Sequence, residues 1–187
     1  GDLNNDGQAE QIAAWLDLAD ASLHLSVGEM PGSLGRSTSA PAAAARDAAP
    51  AKIDLLVRGY DYGLWHCQYS SAGGCESWEN GAGGGVLLSA PAIVSKPGGD
   101  FDAYAILNKP VGQDNYPLLY RRSWSGAGWS GAWEPLDSET AWAPLTSLMP
   151  VPELAAPAAV GSGSSTELFR LSPDNTLRWC HYTQINH

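Results

Sequence analysis

Asp2, Asn4 and Asp6 alternate near the start of the chain, so three side-chain oxygens can converge on one centre. Gly7 permits a sharp turn there, Gln8 can add a carbonyl and Glu10 can close the shell. Hard oxygen donors at this spacing suit Ca2+. The loop is not an EF-hand, because Ala13 stands where a bidentate glutamate is required. An acidic Asx-turn without metal would use the same residues. Further along, Cys67 and Cys75 lie close enough to staple a hairpin, a bridge that belongs in an oxidising compartment, while two free thiols would fit a reducing one. With Cys180 they do not form the paired Cys-x-x-Cys of a structural zinc site.

Groupings for catalysis are missing. No Gly-x-Ser-x-Gly elbow or His-Glu-x-x-His helix occurs, and the glycine-rich run 81–85 lacks the Lys and Ser/Thr of a phosphate loop. His24, His66, His181 and His187 are scattered, and His66, in mid-strand, reads as a structural histidine. The expectation is a protein that is not an enzyme.

The aromatic residues are more informative. Tyr60, Trp65, Trp124, Trp129 and Trp133 fall near the polar companions Arg58, Arg121, Glu79 and Glu134. An apolar ring for C–H groups beside donors and acceptors for hydroxyls is the arrangement that a sugar requires. The competing reading is that each ring fills the gap between neighbouring sheets as core.

These residues must be positioned by many short elements. Gly (21) and Pro (13) are abundant while charged residues make up only 16%, a balance that suits strands and turns. The alanine run Ala42 to Ala45 is the nearest thing to a helical segment, but the repeat places it on a strand. That repeat aligns three segments. The first holds Ser39-Ala40-Pro41-Ala42, then Asp54 to Gly59, Asp61 to His66, and Ser77-Trp78-Glu79. The second holds Ser89-Ala90-Pro91-Ala92, Asp102 to Ala105, Asn115 to Tyr120, and Ala132-Trp133-Glu134. The third holds Ala155-Ala156-Pro157-Ala158, Glu167 to Arg170, and Asp174 to Trp179, with Cys180 at the position of Cys67.

Each full unit carries four β-prone runs between turn residues, the content of one four-stranded propeller blade. The fold class expected is therefore all-β, a β-propeller with about three to four blades in this chain. The units are a divergent first blade with the candidate calcium loop at 1–38, a blade at 39–88, a blade with insertions at 89–154, and an incomplete blade at 155–187. Open blade edges expose unpaired backbone groups, so the ring is expected to be completed by further sequence, another chain or a homo-oligomer.

The Ser-Ala-Pro-Ala start, the Arg-Gly-x-Asp-x-x-Leu-Trp-His run at 58–66 and the closing Trp-Glu resemble the fucose-binding propeller lectins of the type first known from Photorhabdus. The segment 1–10 resembles the calcium loop of integrin-type propeller repeats, although Glu10 stands where Asp is usual. Ser172 to Trp179 resembles the Asp box of sialidase-type propellers, a structural turn. The resemblance implies a secreted carbohydrate-binding protein with glycans as partners. Related blades also occur as the interaction portion of larger secreted enzymes or toxins.

Charge and hydropathy exclude other partners. Twenty acidic against ten basic side chains give a net charge of -10, which repels nucleic acid and anionic lipid. No stretch approaches the ~18 apolar residues of a membrane helix. No basic-then-apolar leader opens the chain, so any export signal is expected to have been removed or to lie outside it.

Overall fold

The structure is a computed structural model that describes residues 12–17, 22–27, 30–46, 52–70, 74–81, 85–111, 114–136, 155–162, 165–171 and 177–183. Among the described residues the chain forms four antiparallel sheets in sequence order. The first is β1 (Ile12–Asp17), β2 (Ser22–Val27) and β3 (Met30–Arg36). The second is β4 (Ala42–Arg46), β5 (Lys52–Arg58), β6 (Leu64–Ser70) and β7 (Gly74–Asn80). In the third, β8 (Val86–Leu87) and β9 (Ala92–Ser95) share one side of β10 (Phe101–Val111). Its other half is β11 (Asp114–Ser125), against which β12 (Gly128–Trp129) and β13 (Glu134–Pro135) pair. The fourth is β14 (Ala158–Ser162), β15 (Ser165–Leu171) and β16 (Leu177–Thr183).

Ala42–Arg46 is a strand, as the repeat requires and against the helical preference of alanine. Its backbone pairs with β5, Ala44 opposite Asp54, so sheet context overrides propensity. The Ser-Ala-Pro motif has a specific task at this edge. Proline carries no N–H and interrupts the ladder, and the serine hydroxyl fills the gap. Ser39 Oγ accepts from Arg58 N at 3.0 Å, and Ser89 Oγ accepts from Ile106 N at the same distance. Both hydroxyls donate to the carbonyl of the following alanine. Residues 86–87, placed by the repeat boundaries in the unit 39–88, pair with the third sheet.

The strands that follow each proline, β4, β9 and β14, lie side by side across the second, third and fourth sheets. Ser95 Oγ on β9 donates to Ala45 O on β4 at 2.7 Å. A Cβ added at Gly161 on β14 would sit 2.4 Å from Val94 Cγ1 on β9, so glycine permits this approach. Small antiparallel sheets joined through these strands are the arrangement of propeller blades, and an all-β, propeller-like architecture is what the chain adopts.

Alternation along β10 builds both seams of the core. Phe101, Ala103, Ala105 and Leu107 turn toward the second sheet and pack with Leu56, Leu64, Trp124 and Trp133. Tyr104 and Ile106 turn the other way, onto Leu168 of the fourth sheet. A strand covered on both faces reads as a continuous apolar run, which is what 103–107 is. No helix among the described residues is long and apolar enough to cross a membrane.

Candidate functional site

The seam between the second and third sheets opens into a pocket of about 320 Å³. His66 and Gln68 on β6 and Ser77 and Glu79 on β7 form one wall; period-two alternation puts each pair on one face. Two residues of β7, Glu76 and Ser77, stand against the single Gln68, a bulge that re-aims the strand beside the pocket. The Cys67–Cys75 disulfide, with Cα atoms 5.9 Å apart, ties β6 to β7 across that bulge. Trp124 and the hairpin Gly126 to Gly128 supply the facing wall.

His66 is buried between two carboxylates. Its Nε2 lies 2.8 Å from Asp54 Oδ1, and its Nδ1 lies 2.5 Å from Glu79 Oε1. Asp54 also receives two hydrogen bonds from Arg46, Nε at 3.0 Å and the terminal nitrogen at 2.8 Å. The Arg46 guanidinium lies over the Trp124 ring, and Phe101 stacks parallel to it at 5.3 Å. The indole faces are thus engaged inside the protein. Its Nε1–H is buried without a hydrogen-bond partner in the protein.

The strand registers reveal a repeat of this chemistry. Asp54 stands opposite Gln68, Asp102 opposite Ser123, and Glu167 opposite His181. Two residues before each of those partners come His66, Arg121 and Trp179. Each reaches the carboxylate of its own sheet: Arg121 Nε at 3.1 Å from Asp102, Trp179 Nε1 at 2.7 Å from Glu167. On the fourth strands, Glu79 faces His66 and Glu134 faces Arg121. One residue past each partner stands an aromatic: Tyr69, Trp124 and Tyr182. Trp124 reaches back onto His66 of the preceding sheet and Tyr182 onto Arg121.

The second seam is filled differently. Tyr182 Oη accepts from Arg121 at 2.5 Å, Ser123 Oγ accepts from it at 2.9 Å, and Glu134 lies 3.5 Å away. Burial alone would lower the Arg121 guanidinium, but Asp102 beside it holds its pKa above the ordinary value. Burial also raises the Tyr104 phenol, whose hydroxyl meets Thr166 across this seam.

Of the residues singled out from sequence, Glu79 and Trp124 line the pocket, and Trp129 packs edge-on against His66 at 5.7 Å. Trp133 is core. Arg121 and Glu134 form the quasi-equivalent group at the second seam. Arg58 is buried, bonded to Thr38 and lying over Tyr62, while Tyr60 projects from the β5–β6 turn. In that turn Asp61 Oδ1 accepts from Gly63 N and Trp65 Nε1, both at 3.0 Å. Burial would raise the Asp61 carboxyl, but bonds from Trp65, Gly63 and Asn80 outweigh it and hold it below the usual value. The calcium candidates Asp2, Asn4, Asp6, Gln8 and Glu10, and most of the Asp-box segment, 172–176, lie outside the described residues. Among the described residues no cluster of three His, Cys, Asp or Glu could hold a metal.

Asp54, His66 and Arg46 were not read as site residues from sequence. The signal available was the polar-x-polar-aromatic run, His66 to Tyr69, Arg121 to Trp124 and Trp179 to Tyr182, whose aromatic end recurs in all three units.

No protein-family model and no curated protein matches the sequence. Solved structures do match. BP39L lectin from Burkholderia pseudomallei superposes with a TM-score of 0.62 at 19% identity, over 95% of this chain and 50% of that one. The chain shares its fold. A glutamine-for-asparagine mutant of the Aleuria aurantia lectin, in complex with methyl α-L-fucoside, gives 0.57 at 16% identity, over 97% of this chain and 58% of that one. A triple arginine-to-alanine mutant of AofleA from Arthrobotrys oligospora gives 0.54 at 11%, over 94% and 51%. The chain thus spans about half the length of the structures it matches.

Proposed function

We propose that the chain is a non-catalytic, lectin-like carbohydrate-binding protein, with the pocket between the second and third sheets as a glycan site. The observation that carries this reading is the pocket's lining. A carboxylate (Glu79), an amide (Gln68) and a hydroxyl (Ser77) line one cavity beside the Trp124 ring. Such a set satisfies several hydroxyls of one ring at once. The shared fold with lectins, one of them in complex with methyl α-L-fucoside, supports fucosylated glycans as the class to test first. The Photorhabdus-type resemblance of the repeat points the same way.

Weak sites repeated around a ring gain avidity toward glycan-coated surfaces, whether the ring is completed by further sequence or by a second chain. The disulfide fits an exported protein. From its donor spacing, the loop 2–10 is read as a calcium site, and chelation is expected to lower the melting temperature. A glycan array probed with the protein, followed by calorimetry on the best hit and on Glu79→Gln, tests the reading. Binding that survives Glu79→Gln unchanged, or an array blank at high protein concentration, would refute it.

A further inference from the structure

His66, Arg121 and Trp179 occupy one register position in successive sheets, yet they differ in charge chemistry. Arginine is a permanent cation; an imidazole is not. The two ring nitrogens of His66 face one carboxylate oxygen each. An imidazolium donates to both, whereas a neutral ring has a single N–H and can donate to one. The surroundings decide which one. Asp54 is 2% exposed and locked by Arg46, while the Glu79 side chain is 51% exposed and has water as an alternative partner. Unpairing a buried acceptor costs more than releasing an exposed one. The remaining N–H therefore stays with Asp54, and Glu79 is set free.

We infer that His66 is a proton-dependent positioning residue for the pocket: protonated, it fixes Glu79 in the pocket wall, and neutral, it releases it. A hydroxyl-bearing ligand is then held more tightly on the acid side at this seam, while the Arg121 seam lacks the switch. The charged groups facing His66 are Asp54 on β5, Glu79 on β7 and, through Asp54, Arg46 on β4. From the third sheet it meets the uncharged rings of Phe101, Trp124 and Trp129, centroids 5.2, 5.5 and 5.7 Å away. The ligand in this inference rests on the glycan reading; the coupling of His66 to Glu79 does not.

Two measurements test it. Methyl α-L-fucoside is titrated calorimetrically into wild type and His66→Arg across the pH range over which the His66 ring signal of the wild type is seen to change. Wild-type affinity is expected to fall about tenfold across that range, the worth of one charge-assisted hydrogen bond, and His66→Arg to stay flat. In ligand-free wild type, the Glu79 carboxyl carbon signal is expected to follow the His66 ring titration. A Glu79 signal indifferent to His66, a flat wild-type affinity, or an equal fall in His66→Arg overturns the inference. Absent binding at every pH with the Glu79 signal still following His66 would sink the glycan reading and leave the coupling intact. Should His66→Arg fail to fold, the carboxyl signal and the wild-type titration decide.

Discussion

The guanidinium of Arg46, on the first strand of the second sheet, lies 4.3 Å from the centre of the Trp124 ring in the third sheet. The same side chain holds Asp54, so one cation joins the buried carboxylate of one blade to the aromatic of the next. The seam and the pocket are thereby built from one set of contacts, and stability and binding should respond together to changes there. Trp124→Ala is expected to cost about 3–5 kcal/mol in urea denaturation. Trp124→Phe keeps much of the packing but removes the Nε1–H. It should cost less stability than Trp124→Ala in the same urea measurement, because a ring still fills the seam.

Ser39 and Ser89 cover backbone N–H groups that proline-interrupted strands would otherwise leave bare. Ser89→Ala strands the buried N–H of Ile106 and should destabilise by about 1–3 kcal/mol, with Ser39→Ala similar through Arg58. Equilibrium unfolding of the two single mutants checks this, and Ser125→Ala, at an exposed strand end, serves as the control near zero.

Reduction of Cys67–Cys75 opens a short loop, with a sequence separation of 8. Chain-entropy reasoning gives a loss of about 2–3 kcal/mol, read as a lower urea midpoint in the presence of reductant. The Cys67→Ala/Cys75→Ala double mutant should show no further response to reductant.

Acid should weaken the fold through Asp61 and Glu167. Hydrogen bonds from His181, then Trp179, hold the Glu167 carboxyl below its ordinary 4.5 against the opposing effect of burial, and Asp61 lies below its ordinary 3.8. Both folded-state values are depressed, so the unfolded chain binds protons first as pH drops. Their contribution is present above the ordinary carboxylate values and disappears as pH falls through the lower folded ones. Asp61 is exposed and Glu167 partly so, and solvent screening keeps the effect to a modest slope. Urea midpoints of Asp61→Asn and Glu167→Gln, followed from about pH 5 downward, should fall less steeply than wild type.

The blade architecture was legible because it rests on local chemistry that recurs: Pro41, Pro91 and Pro157 mark first strands, and turn residues bound each run. The pairing of Cys67 with Cys75 was legible for the same reason. The site was only partly so. The aligned motifs set the run ending at Tyr120 against the run ending at His66, whereas the sheets place Arg121 at the His66 position. A slip of one residue exchanges the two faces of a strand, and motif spacing across turns of unequal length does not control it. The tryptophans show a second limit. Trp124 and Trp133 carry the same side chain and share one core cluster, yet of the two it is Trp124 that also lines the pocket.

The sequence alone determined the strand content, the repeat and the residue types at each seam, because β-propensity, proline and turn chemistry act within a few neighbours. Tertiary structure decided which carboxylate meets which cation. Asp54 and His66 come from adjacent strands, but Trp124 and Arg46 meet only when one sheet stacks on another, and the register and distance of that stacking are properties of the assembled blades.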